Sequence, residues 1–312
     1  MKTLFTTTFF VILSLLLRAQ DNLSYQVPSR EILDLALVER APSVMMDSKM
    51  EYMVLRYSPT FKTLNDLNQE ELRLGGLRIN PITHISSQQT YFTNLKVRKI
   101  KGDEEMQVQG LPENPRIANL KFSKDEKKLA FTHTTDTGVE LWVLDIASAQ
   151  AKRICGPTLN ASIGSVYSWY TDNEHLLVKL LPNNMPALLD AKKNLPKGPT
   201  IAKSEGIKSQ NRTFQDLLKT PMDEQNFETI ASSELYTLDL NGSKTLYKPK
   251  DLYIAESISP NGAYIMLTTI AKPFSYIVPY SRFPNKTNVY DLEGNLIKTI
   301  NEVPLTEIMP KG

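Results

Sequence analysis

The run FSKDEKKLAF, Phe122 to Phe131, followed by VELWVLDI, Val139 to Ile146, decides how the chain is read. Apolar residues flank a polar centre at Lys124-Asp125-Glu126, the pattern of two strands joined by a tight turn. Three looser copies occur: MMDSKMEYMVL (Met45 to Leu55), WYTDNEHLLV (Trp169 to Val178) and ISPNGAYIML (Ile258 to Leu267). Each sets a small polar or acidic residue before its turn, giving the anchors Asp47, Ser123, Thr171 and Ser259. One hairpin used four times marks a repeat protein.

Around the best copy, strands are expected at Ile117–Phe122, Lys128–Thr132, Glu140–Ile146 and Ala151–Ile154. Four antiparallel strands in about 40 residues match one blade of a β-propeller. Further strands are expected at Thr90–Val97, Glu105–Val108, Glu234–Leu240, Thr245–Tyr247, Asn288–Asp291 and Leu296–Thr299. Asn241-Gly242 reads as a type I′ turn, and Gly75-Gly76 inside LRLGGLRIN as a bulge or a close backbone approach. Short helices are expected over residues 28–40, packing on the propeller edge with Ser29 as N-cap, over 64–73, and over Thr213–Lys219. The segment 272–284, KPFSYIVPYSRFP, does not read as a regular strand. The expected fold is all-β: an incomplete β-propeller of about four blades of four-stranded antiparallel sheet, with short helical insertions. It would occupy residues 21–312 as the N-terminal part of a propeller domain. A loop insertion near 183–230 falls between two strands of one blade, as solvated loop or as wall of a substrate chamber.

Composition agrees. The 312 residues are 41% hydrophobic and 22% charged, with 13 Tyr, 11 Phe and 19 Pro, as suits a folded β-rich chain. Lys plus Arg is 36 against 34 Asp plus Glu, a net charge of +2, which gives no electrostatic case for nucleic acid or an anionic membrane. The start, MKTLFTTTFFVILSLLL, has the charged n-region and apolar h-region of a signal peptide over residues 1–20, with cleavage near position 19 or 20. The expectation is export, to the periplasm or the medium of a bacterium, with no membrane anchor after cleavage. The alternative is an uncleaved N-terminal anchor. The Asn-x-Ser/Thr matches at Asn22, Asn160, Asn211, Asn241 and Asn285 carry little weight in a bacterial chain.

The chemistry-bearing residues are sparse. No G-x-S-x-G, G-x-x-x-x-G-K-[ST], G-x-G-x-x-G or H-E-x-x-H occurs, so no catalytic, cofactor-binding or metal-binding residue is assigned and no cofactor is expected. His84, His133 and His175 are isolated and read as surface turn residues, with base or metal roles as the alternative. The single Cys155 reads as a buried, inert thiol. Asp136, Asp145 and Asp172 read as turn and strand-end caps, or else as paired carboxylates. Arg73, Arg78 and Arg282 read as strand-end charges, or as carboxylate binders.

Three stretches carry a resemblance: REILDLALVERAPSV (Arg30 to Val44), EELRLGGLRINP (Glu70 to Pro81) and VPYSRFPNKTNVYDLEGN (Val278 to Asn295). They resemble exported glutamyl endopeptidase-like proteins of the prolyl oligopeptidase family of serine peptidases. The resemblance implies an N-terminal β-propeller that restricts access to a C-terminal α/β-hydrolase domain with a Ser-Asp-His triad. It ends inside the propeller, and no position matches the nucleophile elbow or the triad. The expectation is therefore a non-catalytic propeller portion, truncated before the catalytic domain, that meets peptide substrate only together with that domain. Such an open set of blades, with unpaired edges, is expected to be poorly stable alone. The alternatives are a stand-alone module binding a peptide or protein, and an enzyme using carboxylates such as Asp136 or Asp172.

Overall fold

The computed structural model describes residues 26–38, 40–190, 193 and 214–308. The expected signal peptide lies outside the described residues. The chain divides into two units, Met1–Glu39 and Arg40–Gly312. Among its described residues the first holds one helix, α1 (Arg30–Ala36), none of whose residues is buried. Ser29 stands at its N-cap without a side-chain capping bond.

The second unit is built from antiparallel meanders. Blade 1 starts with β1 (Ser43–Met46) and β2 (Tyr52–Tyr57). The chain leaves it for a four-residue helix, α2 (Leu64–Leu67), and a small hairpin, β3 (Leu72–Leu74) and β4 (Leu77–Ile79), and returns as β5 (Asn94–Lys99) and β6 (Glu105–Gln107). Blade 2 is β7 (Ile117–Phe122), β8 (Lys128–Thr134), β9 (Val139–Asp145) and β10 (Gln150–Leu159). Blade 3 is β11 (Tyr167–Trp169), β12 (His175–Leu180), β13 (Ser233–Asp239) and β14 (Lys244–Asp251), with α3 (Pro221–Ala231) between its second and third strands. Blade 4 is β15 (Tyr253–Ile258), β16 (Tyr264–Ile270), β17 (Asn285–Asp291) and β18 (Leu296–Val303). Blades 2 and 3 are joined into one sheet where Leu159 pairs with Leu180. The protein is thus mostly β, as an incomplete propeller of four four-stranded blades requires.

The first hairpin of each blade closes in the same way. Asp47, Ser123, Tyr170 and Ser259 each donate their backbone N–H to the carbonyl of the residue five positions on. The residue three positions on has a positive φ in all four: Met50, Glu126, Asn173 and Gly262. In three blades a side chain at the first position accepts the returning N–H: Asp47 Oδ2 from Tyr52, Ser123 Oγ from Lys128, and Ser259 Oγ from Tyr264. Blade 3 departs. The expected anchor Thr171 is one residue out of register. Tyr170 holds the position, and Asp172 Oδ1 accepts from His175 N–H instead.

These turns also tie blade to blade. The Glu126 carboxylate accepts from Ser48 N–H and Oγ–H, Asn173 Oδ1 accepts from Asp125 N–H, and Gly262 lies where a Cβ would stand 2.2 Å from Thr171 Oγ1.

Because successive side chains in a strand point to opposite faces, a middle blade buries both. On β8, Leu129 and Phe131 join Val54, Leu95 and Val97 of blade 1, while Ala130 joins Val166, Trp169 and Val178 of blade 3. Tyr170, Leu177 and Leu235 meet Tyr253, Ile265 and Leu267 between blades 3 and 4. That two-sided burial explains why LAF, LWVL and LLVKL are nearly continuous apolar runs.

Several expectations need correcting. Gly75-Gly76 is neither bulge nor strand interior but the two-residue turn of the β3–β4 hairpin, with φ of +61° and +86°. The close approach does exist, with Phe227 against Gly75 and Pro279 against Gly76. Of Asn241-Gly242 only Gly242 has a positive φ, and Asp239 Oδ1 braces the loop by accepting from Asn241 and Ser243 N–H, so it is not type I′. The helix expected over Thr213–Lys219 stands instead at Pro221–Ala231. Its start is a capping box, Thr220 with Asp223, with Pro at the first turn, a signal present in the sequence as TPMD. The helix expected over 64–73 is only the four residues of α2.

Candidate functional site

In a meander blade the connections between strands 2 and 3, and from one blade to the next, all leave at one end. The described residues of the three long insertions, 58–93, 181–232 and 271–284, therefore share that end. There they build a second layer. Phe227 of α3, Phe274 and Phe283 meet with ring centroids 5.2 to 5.7 Å apart. Leu74 and Ile79 of the β3–β4 hairpin complete the cluster. Asn160 Nδ2, on the connection from blade 2 to blade 3, donates to the Ile230 and Ser232 carbonyls and fastens the end of α3. This Asn160 is fully buried, which takes it out of consideration as a glycosylation acceptor.

The arginines expected at strand ends serve this layer. Arg78 Nε meets Asp216 Oδ2 at 2.6 Å, Arg73 Nε meets Glu71 at 2.7 Å and Asp216 at 3.9 Å, and Arg282 lies 6.0 Å over the Phe214 ring. Arg73 and Arg78 do bind carboxylates, but internal ones.

Beside the layer, over blades 1 and 2, opens a cavity of about 1110 Å³. Phe61 and Asp66 of the blade 1 insertion, Tyr91, Arg116 on the linker into blade 2, and His133 and Asp136 of blade 2 contribute to its walls. Arg116 is the best-defined of these. Its guanidinium lies 4.6 Å over the Tyr91 ring, its Nη2 donates to Asp66 Oδ1 at 3.2 Å, and its Nε is buried and makes no hydrogen bond. Asp66 is divided between two tasks. Oδ2 accepts from Thr63 N–H and Oγ1–H in the capping box of α2, and Oδ1 takes Arg116. Burial alone would raise the Asp66 carboxyl, but the Thr63 hydrogen bonds and the Arg116 charge outweigh it and hold it below its usual value.

The histidines are not all surface turn residues. His133 lies in β8 and is 6% exposed, and its Nδ1 accepts from the Arg116 backbone N–H at 3.1 Å, which leaves the proton on Nε2. Burial lowers its pKa against the opposing pull of Glu140, so the ring is neutral. His84 is buried too, with its pKa lowered by burial and its Nδ1 unpartnered. Only His175 is exposed, paired with Asp172 Oδ2 at 2.7 Å. None of the three is hydrogen-bonded to a serine or cysteine side chain among the described residues.

Asp145 and Asp172 are caps as expected, whereas at the turn after β8 it is Thr135 Oγ1, not Asp136, that accepts from the Thr137 and Gly138 N–H groups. Asp145 Oδ1 accepts from Ser148 N–H and Oγ–H, and Asp172 closes the blade 3 turn. Asp145, Asp239 and Asp291 in fact close the last hairpin of blades 2, 3 and 4, a repeat signal present as LDIAS, LDLNG and YDLEG that the hairpin reading passed over. Cys155 is half-buried rather than buried, 3.6 Å from Thr158 Oγ1. Among the described residues no group of three or more His, Cys, Asp or Glu side chains is arranged to hold a metal ion, and no helix is long and apolar enough to cross a membrane.

The repeated meanders and their shared turn define a propeller-type scaffold with one elaborated end. The relatives of the chain are glutamyl endopeptidase-like proteins. It is 30% identical over 302 residues to a probable chloroplastic glutamyl endopeptidase of Oryza sativa subsp. japonica, a match covering 92% of this chain and 32% of that protein. It is 29% identical over 300 residues to the corresponding Arabidopsis thaliana protein, covering 92% and 31%. The chain thus spans about a third of the length of the curated relatives it matches. Among solved structures, the acylaminoacyl peptidase of Pyrococcus horikoshii aligns with 12% identity and a TM-score of 0.44 over 86% of this chain and 33% of that one. No protein-family model matches the chain.

Proposed function

We propose that this chain is the propeller portion of an exported serine peptidase of the prolyl oligopeptidase family. By itself it is non-catalytic. Peptide hydrolysis belongs to an α/β-hydrolase domain outside these 312 residues, and the propeller screens the peptides that reach it. The observation that carries this reading is the match to glutamyl endopeptidases over 92% of the chain. A sequence feature supports it: no G-x-S-x-G occurs in these 312 residues. The cavity over blades 1 and 2 is the element that touches peptide.

The test is hydrolysis of an internally quenched peptide containing one glutamate. The full gene product is expected to cleave it through a G-x-S-x-G serine, and residues 21–312 are expected to leave it intact. Cleavage by residues 21–312 alone would overturn the non-catalytic assignment. If the gene supplies no hydrolase domain, the chain is instead a stand-alone peptide-binding module using the same cavity. Export is tested separately by N-terminal sequencing, which should begin just after position 19 or 20. An intact Met1 on protein recovered from the cytoplasm would reject it.

A further inference from the structure

Arg116 stands apart from the other arginines near the insertions. Arg73 and Arg78 already meet carboxylates through Nε, at 2.7 and 2.6 Å. Arg116 instead borders open space, and its side-on edge, formed by Nε and Nη2, is half used. Asp66 can fill only the Nη2 half, because its second oxygen is committed to Thr63. Nε is left buried and unbonded. A guanidinium edge accepts both oxygens of one carboxylate in parallel, so the bond present is the weaker, one-toothed form of the contact this side chain is shaped to make.

Two neighbours fix its aim. The Tyr91 ring supports the guanidinium plane at 4.6 Å, and neutral His133 holds the Arg116 backbone N–H. Asp66 is held far less firmly. It sits on α2, which has no buried residue, and Leu64 and Leu67 on that helix are each 67% exposed. Little apolar burial therefore resists displacement of Asp66 from the arginine.

From this we infer that Arg116 is a carboxylate-reading residue of the cavity, and that Asp66 is an internal stand-in displaced when the carboxylate of a peptide takes both Nε and Nη2. This rests on the reading of the cavity as peptide-binding. The carboxylate belongs either to an acidic side chain or to a peptide C-terminus, and the chemistry at Arg116 is shared by both.

The experiment is calorimetry on the full gene product with three small probes. N-acetyl-glutamic acid α-amide offers only a side-chain carboxylate, N-acetyl-alanine only a terminal one, and N-acetyl-glutamine amide neither. One carboxylate probe is expected to bind roughly tenfold tighter than the glutamine probe, the scale of one charge-assisted contact. Which one does so identifies the source. Arg116→Gln should erase the difference. Asp66→Asn, which removes the competing charge from an exposed helix, should tighten the preferred probe several-fold; a purely structural Asp66–Arg116 pair predicts no such gain. Equal binding of all three probes, no binding at all, or an unchanged affinity in Asp66→Asn overturns the assignment. If peptide hydrolysis persists while the preference fails, only Arg116 has been misassigned. If hydrolysis itself is absent, the peptidase reading has failed.

Discussion

β8 and β16 hold the same place, the second strand of blades 2 and 4, and follow the same turn. Yet β8, KLAFTHT, is buried at every position after Lys128, whereas β16, YIMLTTI, exposes Tyr264 and Met266 and buries Ile265 and Leu267. The odd-numbered pair faces blade 3, and the even-numbered pair faces away from it. Both sequences are apolar, so hydrophobicity did not choose the difference; the neighbours did. A strand between two blades is a core element on both sides, and a strand with one blade beside it is a half-core element with an amphipathic outer face.

The largest expected effect lies at Phe131, which is fully buried and stacked on Trp142 at 6.3 Å. Phe131→Ala should destabilise by about 3–5 kcal/mol in denaturant titration, the cost of a large cavity in a packed core. A loss below about 1 kcal/mol would mean that the interface between blades 1 and 2 is not a packed core.

Next comes a buried charge. Lys179 of β12 is 1% exposed and donates from Nζ to the Ile163 and Tyr253 carbonyls, and burial pushes its pKa from 10.5 to about 8. The folded state therefore takes up this proton less readily than the unfolded chain. The associated stability is complete above pH 10.5 and is lost as pH falls through about 8. Its span is on the order of 3 kcal/mol. Melting temperature should rise between pH 8 and 10 in the native protein relative to Lys179→Met, which lacks this proton; parallel curves would show that Lys179 is not desolvated.

Gly262→Ala tests the shared turn. The residue has φ +71°, and a new Cβ would meet Thr171 Oγ1 at 2.2 Å. Left-handed strain and the displaced Thr171 should together cost about 1–2 kcal/mol. Asn173, at the same turn position in blade 3, already bears a side chain, so Asn173→Gly should be far milder in φ terms while losing the Asp125 bond.

The smallest effect sharpens the opening contrast. Met266 is 40% exposed, so Met266→Ala should change stability by less than about 0.5 kcal/mol in residues 21–312. A loss of 2 kcal/mol or more in the full gene product would show that further structure covers the outer face of blade 4.

Much of this was legible beforehand. The first three strands of blade 2 fall within two residues of expectation, because a strand buried on both faces leaves a dense apolar run and the turns on either side interrupt it sharply, whereas β10 runs five residues past Ile154. The Thr171 anchor failed for an equally physical reason. The turn closes through backbone groups, so its first position tolerates Tyr170, and the polar side chain that helps can come from Asp172 two residues later. His133 looked like a turn residue because THTTD is polar, but strand β8 continues to Thr134 and draws it inside.

The sequence by itself determined the local units: the hairpins, and the alternation that gives each strand two faces. These follow from side-chain period, turn chemistry and apolar runs within about ten residues. Only the tertiary structure decided which faces are buried, that three insertions far apart in sequence share one end, and that Asp66 meets Arg116 across 50 residues of chain. Those outcomes depend on the packing of one blade against the next, which no local pattern encodes.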